Sequence, residues 1–198
     1  MLFKFKILLL FLSFVFYACA LKPFRQEVLW AIWHPVAALK VKKINALARV
    51  VYNQPDVKTA LDNLNNGGKL DAFRHTFFMA AFAQKIKVKK LRKLGIAHEK
   101  GNYHQFLNHK NEEGEISDSQ SNAMDLSNNE LGFIIGHENK KLNLEDLKLL
   151  VIKEINAGKA LVMKRSAQGL YVDCENNVID LKKYSGRWLV PKCLVPSN

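Results

Sequence analysis

The stretch that decides the fold runs from Asn65 to Ile86 and reads NNGGKLDAFRHTFFMAAFAQKI. Its first four residues, Asn65-Asn66-Gly67-Gly68, form a strong stop for the short helix that precedes them. The residues that follow, 70–86, are strongly apolar, with aromatic side chains at helical spacing. Such a pattern is typical of a helix that lies inside a core rather than on a surface. The sequence therefore predicts a central buried helix over 70–86.

Three polar residues lie inside this apolar helix. Asp71 and His75 are four residues apart and share one helix face, and Arg74 lies one turn from Asp71. A carboxylate in that position can orient an imidazole and raise its basicity. The spacing therefore predicts a polar centre on the most apolar helix.

The rest of the chain predicts more helices. Residues 36–52 carry apolar positions at helical spacing with Lys and Arg between them, which indicates an amphipathic helix with a basic outer face. Further helices are predicted from Pro55, over 88–110, over 124–137 and over 144–156. A polar loop is expected over 111–122.

The hydrophobic period changes after Gly158. Two short apolar runs, 160–163 and 170–172, flank a turn that contains glycine, a pattern typical of a β-hairpin, and 188–190 is a candidate third strand. The predicted fold class is mainly α, with about six helices in an irregular bundle and a small C-terminal β-hairpin element.

The N-terminus has the layout of a secretory signal peptide. A short basic segment precedes the apolar run Ile7–Tyr17, and the small residues Ala18-Cys19-Ala20 follow it. The run is shorter than the roughly 20 apolar residues needed to span a bilayer. We therefore expect cleavage near Ala20 and a periplasmic or secreted protein. The alternative is a lipoprotein in which Cys19 carries the lipid.

Cleavage at this position divides the chain into three parts. The expected parts are a signal peptide (1–20), a helical domain (21–158) and a small β or irregular cap (159–198). Only Cys174 and Cys193 would remain in the mature chain, delivered to a compartment where disulfides persist. They are predicted to form a disulfide within the cap.

The chain is basic, with 30 Lys and Arg against 18 Asp and Glu among 198 residues, a net charge of +12. Loss of Lys4 and Lys6 with the signal peptide leaves +10. The composition excludes a disordered tail, a collagen-like repeat and a disulfide-dense miniprotein. The run Lys85–Lys93 fits anionic lipid or a partner protein, and a solvated helix face is the common alternative. Nucleic acid is disfavoured, because no recognisable nucleic-acid motif accompanies the run.

Two further polar clusters follow the Asp71–His75 helix. One is His98-Glu99 and the other contains Asp125, Asn128 and Asn129. Because they lie on successive predicted helices of one small body, we expect the three clusters to converge on a single polar centre.

The ordered runs DAFRHTFFMA (71–80), AHE (97–99) and DSQSNAMDLSNNELG (118–132) resemble an uncharacterised domain of bacterial secreted and toxin-associated proteins. The resemblance covers about 65–158. It implies a secretion context but no reaction, and the chain departs from it at Ser127, where the family usually has His. The resemblance points to Asp71, Arg74, His75, His98, Glu99, Asp118, Asp125, Asn128 and Asn129.

The clusters favour a hydrolytic site. In this hypothesis His75, oriented by Asp71, is the general base, and Arg74 or the amides of Asn128 and Asn129 stabilise the developing anion. His98 and Glu99 then act as a second base or as metal ligands. The expected substrate is an envelope component or a competitor's molecule.

A metal-assisted version of this site uses a divalent ion. The ligands would be His75, His98, Glu99 and Asp125, a mixed nitrogen and oxygen set that suits a zinc-like ion. Calcium bound by Asp118, Asp125 and loop carbonyls is a weaker variant, because the spacing is not that of an EF-hand.

Two alternatives remain open. The polar residues can instead satisfy one another as an inert network that fixes helix register. The protein would then be a non-catalytic envelope protein that binds anionic lipid or a protein partner through its basic face.

Overall fold

The computed structural model describes residues 25–108 and 117–198. The predicted signal peptide, its cleavage site and Cys19 lie outside these residues. The described helices are α1 (Arg25–Trp33), α2 (Pro35–Tyr52), α3 (Pro55–Ala60), α4 (Lys69–Ala83), α5 (Val88–Leu107), α6 (Ser119–Glu138) and α7 (Leu144–Asn156). They are followed by β1 (Leu161–Met163), a 3-10 turn (Leu181–Tyr184) and β2 (Leu194–Pro196).

This architecture confirms the predicted fold class, mainly α with a small antiparallel strand pair near the C-terminus. None of the described helices is both long and apolar enough to cross a membrane. The described residues contain seven helices rather than about six. The additional one is α1, which Pro35 separates from α2 by occupying the first turn of the second helix.

Helix α6 begins earlier than the sequence pattern predicted, at Ser119 instead of Met124. The reason is its N-cap, Asp118, whose carboxylate accepts hydrogen bonds from the backbone N–H groups of Gln120 (2.9 Å) and Ser121 (3.0 Å). Part of the expected polar loop is therefore helical. The central helix α4, predicted over 70–86, ends at Ala83, three residues earlier than expected.

Helix α4 lies at the centre of the molecule, as its apolar sequence predicted. Leu70, Phe73 and Phe77 are at most 1% exposed, and the rings of Phe73 and Phe77 stack with centroids 5.1 Å apart. The main core surrounds these side chains with residues of α2 and α7, including Ala48 and Val151.

Helices α4 and α6 run parallel and almost touch through their backbones. A Cβ on Gly132 would lie 3.1 Å from the backbone nitrogen of Ala80, and one on Gly136 would lie 2.7 Å from the carbonyl carbon of Ala80. The hydroxyl of Thr76 donates a hydrogen bond to the carbonyl oxygen of Asn128 (3.2 Å). The two glycines and this bond fix how far apart the helices lie and which turns face each other.

The start of α4 is fixed by Asp62 and Gly67. The Asp62 carboxylate accepts hydrogen bonds from the backbone N–H groups of Lys69 (2.6 Å) and Leu70 (3.1 Å), a capping role that no residue of the Gly-Gly turn could supply. Gly67 has a φ of +68°, and a Cβ there would lie 2.8 Å from Sδ of Met163. Its carbonyl accepts the Met163 N–H at 2.7 Å, which joins the start of α4 to β1.

The pairing of the C-terminal strands differs from the predicted one. β1 pairs antiparallel with β2, so that Val162 lies opposite Val195. The segment 170–172 contributes two isolated bridges instead, Tyr171 with Arg165 and Val172 with Val178. Residues 188–190, the candidate third strand, do not form a strand. Sequence-local hairpin signals could not show that the last residues of the chain return to β1.

The predicted disulfide is present between Cys174 and Cys193, whose Cα atoms are 4.9 Å apart. The backbone N–H of Cys193 donates to the carbonyl of Val172 (3.1 Å), and the carbonyl of Cys193 accepts from the N–H of Lys164 (2.8 Å). The bridge thus holds the segment before β2 in line with β1, and this explains the strand pairing.

The outer face of α2 is more apolar than expected. It carries the predicted basic residues, but Leu39, Leu47 and Val50 are also 70%, 55% and 68% exposed. The reason is that α2 turns mainly small residues, Ala37 and Ala48, toward the core.

We expect Gly136→Ala to destabilise the fold. Without a clash, Ala would stabilise an internal helix position by about 1 kcal/mol relative to Gly. Here the added Cβ meets the Ala80 backbone, and overpacking of this kind costs about 1–3 kcal/mol. Urea unfolding measures the change. Ser127→Ala, at an exposed position of the same helix, serves as control and should leave stability unchanged or slightly raised; a Gly136→Ala protein as stable as this control would contradict the packing assigned to α4 and α6.

Candidate functional site

Three buried residues of α4 and α6 bring their donor atoms together. One donor atom each from Asp71, His75 and Asp125 lies within 4.8 Å of the other two. Nε2 of His75 is 3.6 Å from Oδ1 of Asp71 and 3.3 Å from Oδ1 of Asp125. The parallel register of the two helices produces this group, because Asp125 lies about two turns before Gly132 on the face that α6 turns to α4. We call these residues the His/Asp/Asp cluster.

Asp71 is fixed by contacts on both of its oxygens. Oδ2 accepts the backbone N–H of Gly67 at 2.7 Å, and Oδ1 accepts a hydrogen bond from the guanidinium of Arg74 at 2.8 Å. The same Arg74 nitrogen lies 3.3 Å from Nε2 of His75. Arg74 therefore acts on the cluster from within, as a counter-charge to Asp71, instead of projecting freely toward an anion in a cleft.

The environment of His75 favours its neutral form. Burial is the largest cause that lowers the pKa of His75 well below its usual value, and the positive charges of Arg74 and His98 lower this pKa further. A hydrogen bond with Asn129 opposes these effects only in part. His75 is thus an uncharged imidazole at neutral pH, the form that can accept a proton or ligate a metal.

Asn129 reaches His75 because α5 makes room for it. Asn129 is 2% exposed, and a Cβ on Gly95 would lie 3.1 Å from its Nδ2. In the sequence Gly95 indicates only a weak point in a helix, yet in the structure it lies inside α5 where the helix passes the Asn129 amide. The sequence contains no signal that distinguishes a glycine that weakens a helix from a glycine that makes room for a neighbouring side chain.

His98 lies at the edge of the site and has a partner that sequence reasoning missed. Its Nδ1 is 2.6 Å from Oε1 of Glu27, a residue of α1, and the two side chains are 37% and 31% exposed. Glu27 lies outside every cluster noted in the sequence, and nothing in its local pattern relates it to a residue 71 positions away.

Glu99 points elsewhere, since consecutive helical residues are about 100° apart. It is 4% exposed, and its carboxylate accepts a hydrogen bond from Nδ2 of Asn102 at 3.2 Å. It lines a separate cavity of about 320 Å³ with Tyr103 and Trp188 among its neighbours. The metal set expected from sequence, His75, His98, Glu99 and Asp125, is thus not the set that the described residues bring within ligand distance; Asp71 takes the place of His98 and Glu99.

Asn128 makes structural contacts with its amide. Nδ2 donates to the carbonyl of Leu161 (3.0 Å), and Oδ1 accepts the Leu161 N–H (2.9 Å). The side chain is fully buried and acts like a strand neighbour to the start of β1. One N–H and the oxygen of the amide are thus used to hold β1, and the anion-stabilising role expected for Asn128 stays a prediction.

Asp118 is likewise committed to the fold. Besides capping α6, it forms an ion pair with Lys192 at 2.8 Å, with both side chains 4% exposed. The N-cap bonds and this ion pair explain why position 118 carries a carboxylate. The calcium variant of the sequence hypothesis had used the same carboxylate as a metal ligand.

Comparison with protein families places the chain. The 132 residues from 28 to 159, of 198, match the sequence model of a family described as a domain of unknown function, DUF6973. The chain belongs to the DUF6973 family. The match begins well before residue 65, so this domain of unknown function includes most of α1 and all of α2 as well as the helices that carry the His/Asp/Asp cluster. Glu27 lies one residue before it.

No curated protein and no solved structure showed a significant match to the chain. The DUF6973 assignment therefore supplies no reaction, and the chemistry has to be argued from the cluster itself.

We expect the neutral state of His75 to make the fold sensitive to acid. The pKa of His75 is lower in the folded chain than in the unfolded one, so the unfolded chain binds more protons as pH falls below about 6.5. Stability is thus present above that pH and lost below it, by at most about 1.4 kcal/mol per pH unit for one proton. Urea unfolding between about pH 7.5 and pH 5.5 should show a smaller loss for His75→Gln than for wild type.

The matched control for this experiment is His137→Gln, because His137 is exposed near the end of α6. Its loss of stability with falling pH should equal that of wild type. Equal losses for wild type and His75→Gln would contradict a buried, neutral His75.

Proposed function

We propose that the His/Asp/Asp cluster binds a divalent metal ion and forms the centre of a hydrolytic site. The observation that carries the proposal is the convergence of three buried donor atoms, Nε2 of His75 and one oxygen each of Asp71 and Asp125, within 4.8 Å. Mixed nitrogen and carboxylate ligands suit zinc and similar ions, and catalytic zinc sites use three protein ligands with a fourth position for water.

The distances support a small tetrahedral ion. Bonds of about 2.0–2.1 Å place neighbouring ligand atoms of a tetrahedron about 3.3–3.4 Å apart. His75 Nε2 lies 3.3 Å from the Asp125 oxygen and 3.6 Å from the Asp71 oxygen, close to these edges. Calcium prefers six to eight oxygen ligands at longer range, so a zinc-like ion is the better fit to this group.

The surroundings of the ligands have the form of an outer coordination shell. The Gly67 N–H orients the Asp71 carboxylate, and Asn129 hydrogen-bonds the His75 ring. Such partners fix the tautomer and direction of metal ligands. The low pKa of His75 adds to this, because a ligand imidazole must be deprotonated at the pH at which it binds.

A bound ion of this kind would supply Lewis acidity and a water of lowered pKa, which is the chemistry of metal-assisted hydrolysis. His98, held by Glu27 at 2.6 Å, is the residue that can exchange protons with solvent at the edge of the site. Arg74, whose side chain is 23% exposed, provides positive charge between the cluster and solvent. These are the roles we assign to the chain's own residues.

We place this activity outside the cytoplasm. The Cys174–Cys193 disulfide is compatible with an extracellular or periplasmic location. The N-terminal signal-peptide pattern, with Cys19 as the lipoprotein alternative, gives the route of export. The substrate class remains the one expected from this location, an envelope component or a competitor's molecule.

Metal binding by the purified protein tests the first step. We expect calorimetric titration with zinc to give one site in wild type and a loss of affinity of about 10-fold or more in His75→Gln and in Asp125→Asn, which keep the size of the side chains. His137→Gln is the control and should bind as wild type does. Thermal unfolding of each variant in the presence of chelator shows whether it is folded. Folded variants with unchanged zinc affinity, or a wild type that binds no zinc, would refute the metal site.

A variant at Arg74 distinguishes the metal-site hypothesis from an inert polar network. If the cluster exists to bind a cation, Arg74→Gln removes a competing positive charge and should raise the zinc affinity. If Arg74 is the permanent partner of Asp71, the same change should mainly lower stability, with no gain in zinc binding.

Hydrolysis is tested separately. The zinc-loaded protein should cleave an activated ester such as p-nitrophenyl acetate or bis-p-nitrophenyl phosphate, and chelation or His75→Gln should abolish the activity. His98→Gln should lower the rate and change its pH profile while leaving zinc affinity intact. A zinc-loaded protein inert toward both probes and toward isolated cell-wall material would leave a metal-binding protein and refute the hydrolase.

A further inference from the structure

A row of apolar side chains runs along the solvent face of α2. Val36, Leu39, Leu47 and Val50 lie at helical spacing on one face, and each is at least 55% exposed in the part of the chain that the structure describes. Trp33, the last residue of α1, lies three residues before Val36 and is 78% exposed. We call these five residues the apolar row. Lys43 lies between Leu39 and Leu47 on the same face. Isolated exposed apolar residues are ordinary, but several on one helix face mark an interaction surface.

Lysines lie beside the Val36 end of this row. A cavity of about 230 Å³ between α2 and the turn that joins α4 to α5 is lined by Val36, Ala37, Lys40, Lys85, Ile86, Lys87 and Lys90. A second cavity, of about 390 Å³, shares Lys85, Ile86 and Lys87 and adds Lys140 and His137. No carboxylate is among the residues that line either cavity. We call the lysines of the two cavities the lysine patch.

The lysine patch is built on rigid elements. The indole N–H of Trp30 donates to the carbonyl of Lys90 at 2.8 Å, and Ile86 packs in the apolar cluster that also contains Ala37 and Phe82. The turn from α4 into α5 is therefore held against α1 and α2. Its lysines and the apolar row belong to one fixed surface.

We infer that the apolar row and the lysine patch together bind the surface of an anionic lipid bilayer. Apolar side chains would enter the headgroup region while the lysines contact anionic headgroups, as in amphipathic helices that lie in the plane of a membrane. Trp33 is suited to this position because its ring is apolar and its N–H is polar. Nucleic acid would use the lysines, but it would give no role to four exposed aliphatic residues, and so we favour lipid.

This inference is independent of the His/Asp/Asp cluster, since it involves different side chains. It extends the basic-face alternative of the sequence: the run Lys85–Lys93 contributes three lysines to the patch, whereas the apolar half of the surface comes from α2 and was visible only once the exposed side of that helix was known.

Co-sedimentation with vesicles tests the inference. The experiment uses the purified protein as it is isolated, and mass spectrometry identifies its N-terminal residue. We expect binding to phosphatidylcholine vesicles that contain a one-third share of phosphatidylglycerol, and little binding to phosphatidylcholine alone. Reversing the charge of Lys87 and Lys90 to Glu should weaken binding by at least about 100-fold. Reversal of Lys58 and Lys153, which are exposed and outside the patch, changes the net charge equally and should have a much smaller effect.

The apolar half is tested by Leu39→Gln with Val50→Gln, which should weaken binding by about tenfold or more. Leu149→Gln with Ile134→Gln is the matched control, because these residues are also 59% and 55% exposed but lie on other helices. Quenching by brominated lipid should reduce the fluorescence of wild type and have little effect on Trp33→Phe.

Three results would overturn the inference. Wild-type binding that is equal with and without phosphatidylglycerol would assign membrane contact to something other than this surface. A loss caused by the lysine variant but not by the Leu39 and Val50 variant, together with equally tight binding to duplex DNA, would indicate a general polyanion site. A concentration-dependent dimer that the Leu39 and Val50 variant dissociates, with unchanged vesicle binding, would show that a second copy of the chain covers the row.

Discussion

The contact between the backbones of α4 and α6 is the constraint on which the rest of the structure depends. Gly132 and Gly136 allow α6 to approach Thr76 and Ala80 so closely that any side chain at the two positions would overlap the α4 backbone. Because the two helices are parallel and held at this distance, each turn of α6 contacts the turn of α4 that lies beside it. Asp125, near the start of α6, is thereby level with His75 near the start of α4.

The same contact explains how a strongly apolar helix accommodates charged residues. The polar end of α4 is covered by the polar end of α6, and its apolar end by α2 and the apolar turns of α6. Burial without such pairing would cost several kcal/mol per ion. The arrangement instead gives each polar side chain a defined neighbour, as the contacts of Asp71 with Gly67 and Arg74 show. Low dielectric and fixed geometry are also the conditions under which a bound cation interacts most strongly with its ligands.

Much of the fold follows from local sequence signals, and much of the site does not. Helical periodicity located six of the helices, the change of period after Gly158 located the strand-forming region, and two remaining cysteines predicted the disulfide. Asp71 and His75 could be related because they lie one turn apart on the same helix. Glu27 and Gly95 could not be found in this way, because their roles arise from residues 71 and 34 positions distant in the chain, His98 and Asn129. The apolar residues on the outer face of α2 were not expected for a similar reason: periodicity shows that a helix has an apolar side but not which apolar residues a neighbour will cover.

The two hydrogen bonds between the Asn128 amide and the backbone of Leu161 bear on where this domain ends as a physical unit. The DUF6973 match stops at residue 159, two residues before the strand that satisfies that amide. A chain cut at this family boundary would retain every residue of the His/Asp/Asp cluster, but it would leave a buried amide on α6 without its partner, one turn from Asp125. The contacts that hold α6 in the described residues therefore extend past the family boundary, and β1 supports the polar centre although it contributes no side chain to it.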